Sequence, residues 1–241
     1  MLSPEEKERY SRQVIILGWN EEKLKQTKVL IVGVGVLGSA SALYLAAAGV
    51  GSLRLCDGDR VERSDLNRQI LYSESSIGSP KVEEAARRIA ALNPSVGLEK
   101  FNVLLDSQNA GELVGHCQVI VDGLDNLESR FILNRESLRQ KIPFIYGAVH
   151  GWLGYVGLFH PPQTACLACL MRADLLSPGP VPVPGITPGA IGLIQASEAI
   201  RWILGLSAPL LGRLLIYDGR DLSFEIISVG KNPACPVCSK G

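Results

Sequence analysis

The chain has 241 residues, 46% of them apolar and 20% charged, a composition that allows one soluble α/β domain with a sizeable core. Its 24 Lys and Arg balance 24 Asp and Glu, which argues against a nucleic-acid binder and leaves any phosphate binding to local charge. The N-terminal MLSPEEKERYSRQ lacks the apolar core of a signal peptide, and the longest apolar run, around Ala40–Val50, is too short to span a bilayer. The expected setting is cytoplasmic, with no membrane and no nucleic acid as partner. In such a setting Cys pairs serve more often as metal ligands than as disulfides.

Ser3-Pro4-Glu5-Glu6 reads as a helix start, with Ser3 as cap and Glu6 returning a capping bond. A second short helix is expected from Asn20. Lys28–Val32 is a short apolar strand that runs into Gly33-Val34-Gly35-Val36-Leu37-Gly38; a helix over Ser39–Ala48 and a strand over Ser52–Cys56 complete a βαβ unit. The alternation continues with a helix at Pro80–Leu92, a strand at Leu98–Leu104 and a strand at Gln118–Val121 that ends at Asp122. A helix from Glu128 to Gln140 and a strand at Pro143–Tyr146 follow. Strands alternating with helices predict a doubly wound, mostly parallel sheet of the Rossmann-like α/β class.

Beyond Gly147 the texture changes. Gly151–Phe159 is rich in glycine and aromatics and reads as a hairpin. Ser177–Gly189, with five prolines and three glycines, reads as a mobile crossover loop. A helix at Ala190–Leu204 and strands at Leu214–Tyr217 and Ser223–Val229 are expected to extend the sheet in antiparallel fashion. The whole is expected to be one domain: a helical arm (1–27), a nucleotide-binding core (28–147) and a C-terminal extension (148–241).

The Gly33-x-Gly35-x-x-Gly38 loop stands between a strand and a helix, where glycines allow a tight turn and the helix N-terminus offers free N–H groups to phosphate. Asp57, nineteen residues beyond Gly38 at a strand end, is suited to accept from ribose hydroxyls. These features point to an adenosine nucleotide without separating ATP from NAD. Arg68 and Lys81 favour a triphosphate, because attack on an α-phosphate needs cations for its oxygens and for departing pyrophosphate. Asp122, Asp125 and Asn126 stand at the carboxyl end of a strand, where Asp125 can hold a magnesium ion, Mg2+, against phosphate oxygens while Asp122 supports the turn or caps the next helix.

Cys166-Leu-Ala-Cys169 and Cys235-Pro-Val-Cys238 form two CxxC pairs. Four thiolates can surround one zinc ion, Zn2+, tetrahedrally and leave no open position, so the expected site is structural and staples the C-terminus to the domain. Cys56 and Cys117 lie at or beside strands and read as core residues. His116, His150 and His160 pair with no recognisable nucleophile.

Taken together, RYSRQ (Arg9–Gln13), GVGVLGS (Gly33–Ser39), DGD (Asp57–Asp59), SDLNRQ (Ser64–Gln69), GSPKVE (Gly78–Glu83), DGLDN (Asp122–Asn126) and both CxxC pairs resemble the MoeB/ThiF/HesA family, relatives of ubiquitin-activating enzymes. The resemblance covers almost the whole chain. It implies ATP-dependent adenylation of the C-terminal Gly-Gly carboxylate of a small ubiquitin-like sulfur-carrier protein, with release of pyrophosphate. It implies that Gly33, Gly35, Val36 and Gly38 border the nucleotide, that Asp57 lies at its ribose and that Asp59 is among the residues binding it. It further implies that Ser64, Asp65, Leu66, Asn67, Arg68 and Lys81 contact its phosphates, and that Asp125 and Asn126 form the magnesium region. Arg12 corresponds to an arginine that reaches the other subunit's site in a homodimer. The catalytic set implied is therefore Arg12, Arg68, Lys81 and Asp125, and a separate sulfur donor is expected.

The chain departs from the family pattern at three points. Val36 stands where a third close glycine is frequent, so its side chain is expected to point away from the nucleotide. Asp65 replaces a common Asn and adds a negative charge. Ser177–Gly189 contains no cysteine where many relatives carry a nucleophile, whereas adenylation itself needs no enzyme thiol. Two other classes stay open at this point: an NAD-dependent Rossmann oxidoreductase, and a catalytically weakened relative that acts as a binding module.

Overall fold

The computed structural model describes residues 2–171 and 182–239. Helix α1 (Pro4–Arg9) opens with the expected capping box, Ser3 accepting from the Glu6 N–H and Glu6 accepting from the Ser3 N–H. Helix α2 (Glu21–Lys25) is capped by Asn20. The first strands, β1 (Lys28–Val32) and β2 (Ser52–Cys56), have the predicted bounds. Between them α3 (Val36–Ala47) begins three residues before the expected Ser39, because the chain turns into the helix directly after Gly35.

Then come α4 (Lys81–Leu92), β3 (Gly97–Phe101), α5 (Ala110–Val114), β4 (Val119–Asp122) and α6 (Leu127–Gln140). Strand β3 stops at Phe101 instead of running to Leu104. The short helix α5 carries too few residues for a periodic signal and was not foreseen. Strands β5 (Phe144–His150) and β6 (Leu153–Phe159) form an antiparallel hairpin across Gly151-Trp152, with Gly151 at φ +58°. The expected hairpin within Gly151–Phe159 is thus the turn and second strand of a longer one, and the sheet runs unbroken across the 147/148 division.

After α7 (Leu167–Leu170), also unforeseen, α8 (Ile186–Leu204) begins four residues before the expected Ala190. Pro188 falls in its first turn, where the missing N–H would have had no helical partner. The part of the predicted crossover loop at 186–189 is therefore helix, and its stretch 177–181 lies outside the described residues. Strands β7 (Arg213–Asp218) and β8 (Ser223–Ser228) end the sheet.

The eight strands of the described residues form one sheet in the order β3-β2-β1-β4-β5-β6-β7-β8. The pairs from β3 to β5 are parallel; those from β5 to β8 are antiparallel. One face is covered by a core that includes Leu37, Leu45, Ile89, Ile191 and Ile203, from α3, α4 and α8. The other buries Leu113, Leu133 and Phe144, from α5, α6 and β5. The central parallel strands β1 and β4 are apolar along most of their length because helices cover both faces, whereas the edge strand β3 carries Glu99 and Lys100. Strand order reverses between β1 and β4, and at that switch point the loops after the two strands part to leave a crevice.

Candidate functional site

A cavity of about 660 Å³ opens at the carboxyl ends of β1, β2 and β4. Its floor is the glycine loop, where the three glycines do different things. Gly33 has φ +82°, and a Cβ on Gly38 would stand 2.0 Å from the Gly33 carbonyl oxygen. Gly33 and Gly38 therefore permit backbone to meet backbone. A Cβ on Gly35 would meet only the Gln69 amide, at 3.7 Å or more, so the missing side chain there leaves the cavity open.

Among the residues expected at a nucleotide, Gly33, Gly35, Val36, Asp57, Asp59, Arg68, Lys81, Asp125 and Asn126 line this one cavity. Gly38 lies behind the floor. Ser64, Asp65, Leu66 and Asn67 are not part of the wall: Ser64 and Asn67 are exposed, Leu66 packs against the core, and Asp65 is buried. Val36 is half-buried and packs against the core, and the residue also borders the cavity. Arg12 is exposed on the N-terminal arm and lies outside the cavity of its own chain.

The electrostatics follow from partial burial. Asp57 accepts from the N–H groups of Val34 and Asp59, both at 2.9 Å, which fixes its carboxylate at the head of the loop. Burial raises its pKa, against the pull of those bonds and of Lys81. Lys81 is 7% exposed and donates to Asp59 at 3.0 Å. Burial disfavours its charge, but Asp57 and Asp59 more than offset this and hold the ammonium above the ordinary lysine range. Its place in the first turn of α4, unfavourable for a helix dipole, is thus explained by an acidic neighbourhood. Arg68 is half-buried and bonds the Ser64 carbonyl and Asn67 Oδ1.

On the opposite wall, Asp125 and Asn126 are exposed at the cavity rim, and Asn126 caps α6 by accepting from the Ser129 N–H at 2.9 Å. Asp125 offers a hard oxygen donor suited to a magnesium ion. Asp122 is fully buried below them and receives Arg130 Nε at 2.9 Å and the Leu124 N–H at 2.9 Å, which matches its expected supporting place.

Arg130 and Gln69 also line the cavity, and neither was among the residues expected there. Arg130 lies one helix turn inside α6 and reaches back to Asp122 and to the Gly147 carbonyl. Gln69 closes the SDLNRQ segment and donates to Asp65 Oδ1 at 2.7 Å. The place of Gln69 inside that segment was a usable signal; nothing local marked Arg130.

Outside the cavity lining, the four cysteines of the CxxC pairs meet, their sulfur atoms all within 4.8 Å of one another. Cys166 and Cys235 approach to 3.7 Å, Cys169 and Cys238 to 3.4 Å. Thiolates about 2.3 Å from one tetrahedral ion stand about 3.8 Å apart. The donor set therefore fits zinc in a closed site, and backbone N–H groups of Asn232 and Cys238 already point at Cys169 and Cys235. Cys56 and Cys117 are buried, as expected, and burial pushes their thiols up to about 12 and about 11.

Among the described residues no helix is long and apolar enough to cross a membrane. The chain is 39% identical to a sulfur carrier protein adenylyltransferase of Thermus thermophilus, over 97% of this chain and 91% of that protein. It is 36% identical to the molybdopterin-synthase adenylyltransferase of Escherichia coli, over 99% of both chains. Among solved structures, that of PaaA superposes with a TM-score of 0.83 at 28% identity, covering 96% of this chain and 76% of that one. The profile of the ThiF family matches residues 10–237. With that match on almost all of its length, and with the glycine loop, the paired cations and the four-cysteine cluster in place, the chain belongs to the ThiF family.

Proposed function

We propose that this protein adenylates the C-terminal Gly-Gly carboxylate of a small ubiquitin-like sulfur-carrier protein with ATP, as a single adenylation domain. The observation that carries the reading is the meeting of Arg68 and Lys81 with Asp125 around one cavity, over an open glycine loop. A hydride-transfer enzyme has no use for two cations and a carboxylate at that position. The relatives described above bear adenylyltransferase names, which supports the same choice over an NAD-dependent oxidoreductase.

The chemistry follows from charge. A carrier's terminal carboxylate is ionised at neutral pH, so it attacks the α-phosphorus without a general base. The new bond is carboxylate oxygen to phosphorus; the bond to the bridging oxygen breaks, and pyrophosphate departs with the electron pair. Arg68 and Lys81 are suited to neutralise the oxygens on which charge gathers. Asp57 is suited to accept from the ribose, and Asp125 with Asn126 to hold magnesium, which when bound supplies further charge neutralisation. Val36 is no obstacle to this reading, since the cavity stays open beside it. The hairpin of β5 and β6 and the segment before α8 are suited to guide the extended tail.

A homodimer belongs to the proposal. Arg12 extends from an arm whose neighbours Ile15, Ile16 and Leu17 are 76%, 51% and 97% exposed. An apolar groove with Tyr44 and Leu193 lies beside it, and a second copy would cover both. A structural zinc ion on the four cysteines, a cytoplasmic setting that keeps those thiols reduced, and a separate sulfur donor complete the reading.

The test is ATP–pyrophosphate exchange in the presence of candidate carriers that end in Gly-Gly. Carrier-dependent exchange, with an AMP-capped carrier seen by mass spectrometry, is the expected result. Tight NAD binding without exchange would sink the proposal.

A further inference from the structure

Asn134 stands one turn beyond Arg130 on α6 and is 1% exposed. Its Oδ1 accepts at 2.8 Å from the N–H of Leu167, the first residue of α7, between the two cysteines of the first CxxC pair. An amide oxygen only accepts and an amide nitrogen only donates, so this bond fixes which way the side chain points. The NH2 group is left buried, with no oxygen or nitrogen partner among the described residues. The group beside it is the Cys166 sulfur, with which the Asn134 side chain interacts.

The sulfurs of the cluster are not served alike. Cys169 receives the Asn232 N–H at 3.4 Å, and Cys235 the Cys238 N–H at 3.5 Å. Cys166 is completely buried and, among the described residues, receives no backbone N–H. Four thiolates around one Zn2+ leave the centre negatively charged, and a desolvated thiolate needs a donor. A buried NH2 group needs an acceptor for the same reason. A neutral thiol accepts weakly and relieves neither need, whereas a metal-bound thiolate meets both at once. The lone amide is thus explained by the loaded centre and not by packing.

We propose that Asn134 is a positioning residue of the metal centre: its NH2 group donates to the Cys166 thiolate while its oxygen holds the knuckle backbone at Leu167. This rests on the zinc reading given above. In the N134D variant the acceptor for the Leu167 N–H is kept. The donor to sulfur is lost, and a further negative charge is set beside an already negative centre.

In competition with a chelator, N134D should hold zinc about tenfold to a hundredfold less tightly than wild type, the scale of losing an outer-shell partner. With cobalt(II) in place of zinc, the sulfur-to-metal charge-transfer band should move to lower energy in N134D, because a thiolate without a donor holds its electrons less firmly. A merely structural role would lower the melting temperature and leave both the chelator midpoint and the cobalt band as in wild type. Should N134D not fold, N134S, which removes the amide, enters the same two measurements. Wild-type protein that holds no zinc overturns the zinc reading and this one with it. A zinc-loaded wild type whose affinity and cobalt band are unchanged in N134D or N134S overturns the role of Asn134 alone.

Discussion

Arg130 Nε donates to Asp122 Oδ2 at 2.9 Å, and both side chains are buried, Asp122 completely. The pair joins the end of β4 to α6 beneath Asp125 and Asn126, and the guanidinium also serves the Leu124 and Gly147 carbonyls. Removing one partner leaves the other charge buried without compensation. D122A is therefore expected to destabilise the fold by about 3–5 kcal/mol, measured by denaturant titration. A loss below about 1 kcal/mol would show that water readily reaches Arg130.

Arg68→Ala and Lys81→Ala are expected to raise the barrier to adenylation by about 2.7–4 kcal/mol each, with a small change in melting temperature for Arg68→Ala and a larger drop for Lys81→Ala, whose ammonium is buried beside carboxylates. Asp125→Ala should lose activity together with its magnesium dependence. Variants that keep wild-type exchange rates would show that these residues only decorate the cavity.

One zinc per chain is expected in protein purified without chelator. Cys235→Ser should lower zinc content and loosen the C-terminal segment, since ligand loss is a loss of folding free energy. Elemental analysis and limited proteolysis measure the two effects, and wild-type protein free of zinc refutes the site.

Glu198 is 3% exposed in α8 and accepts from the Leu210 N–H at 3.0 Å. Burial raises its pKa, opposed by that bond and by the charge of Arg201. A carboxyl raised in the fold favours the native state fully below its unfolded pKa, and this contribution is lost as pH rises through the folded value. Glu198→Gln should thus melt higher than wild type at pH 7, and the gap should close near pH 4, about where the unfolded carboxyl titrates. A gap independent of pH would contradict this origin.

The enzyme is expected to stop at the carrier acyl-adenylate. Cys56 and Cys117 are buried with raised thiols, and the other four cysteines are gathered at the metal-ligand cluster. An acyl acceptor needs access and a stabilised thiolate, and neither free residue has them. The C56A/C117A double variant, if folded, should still form the AMP-capped carrier. A reductant-cleavable enzyme–carrier conjugate abolished by either single change would reveal a working nucleophile.

Local sequence determined those parts of this protein that depend on near neighbours in the chain. The capping box at Ser3, the bounds of β1 and β2, the strand–glycine–helix turn and the CxxC knuckles are all set within a few residues. Their order was enough to place Arg68, Lys81 and Asp125 at one sheet end, since parallel strands deliver their loops to a common edge.

Tertiary structure decided what depends on contacts across the chain. The early start of α8 and the full length of the hairpin of β5 and β6 arise from packing and from cross-strand pairing, not from local propensity. Gly38 looked like a phosphate-loop glycine and proved to be a packing glycine, because the nearest obstacle is the Gly33 carbonyl. Asp65 read as a residue at the phosphates, but its turn directs it inward, beneath the residues that line the cavity. Arg130 has no signature in the chain; only the crossing of α6 over β4 brings it to Asp122. Each of these depends on which groups are desolvated together, and that is a property of the assembled fold.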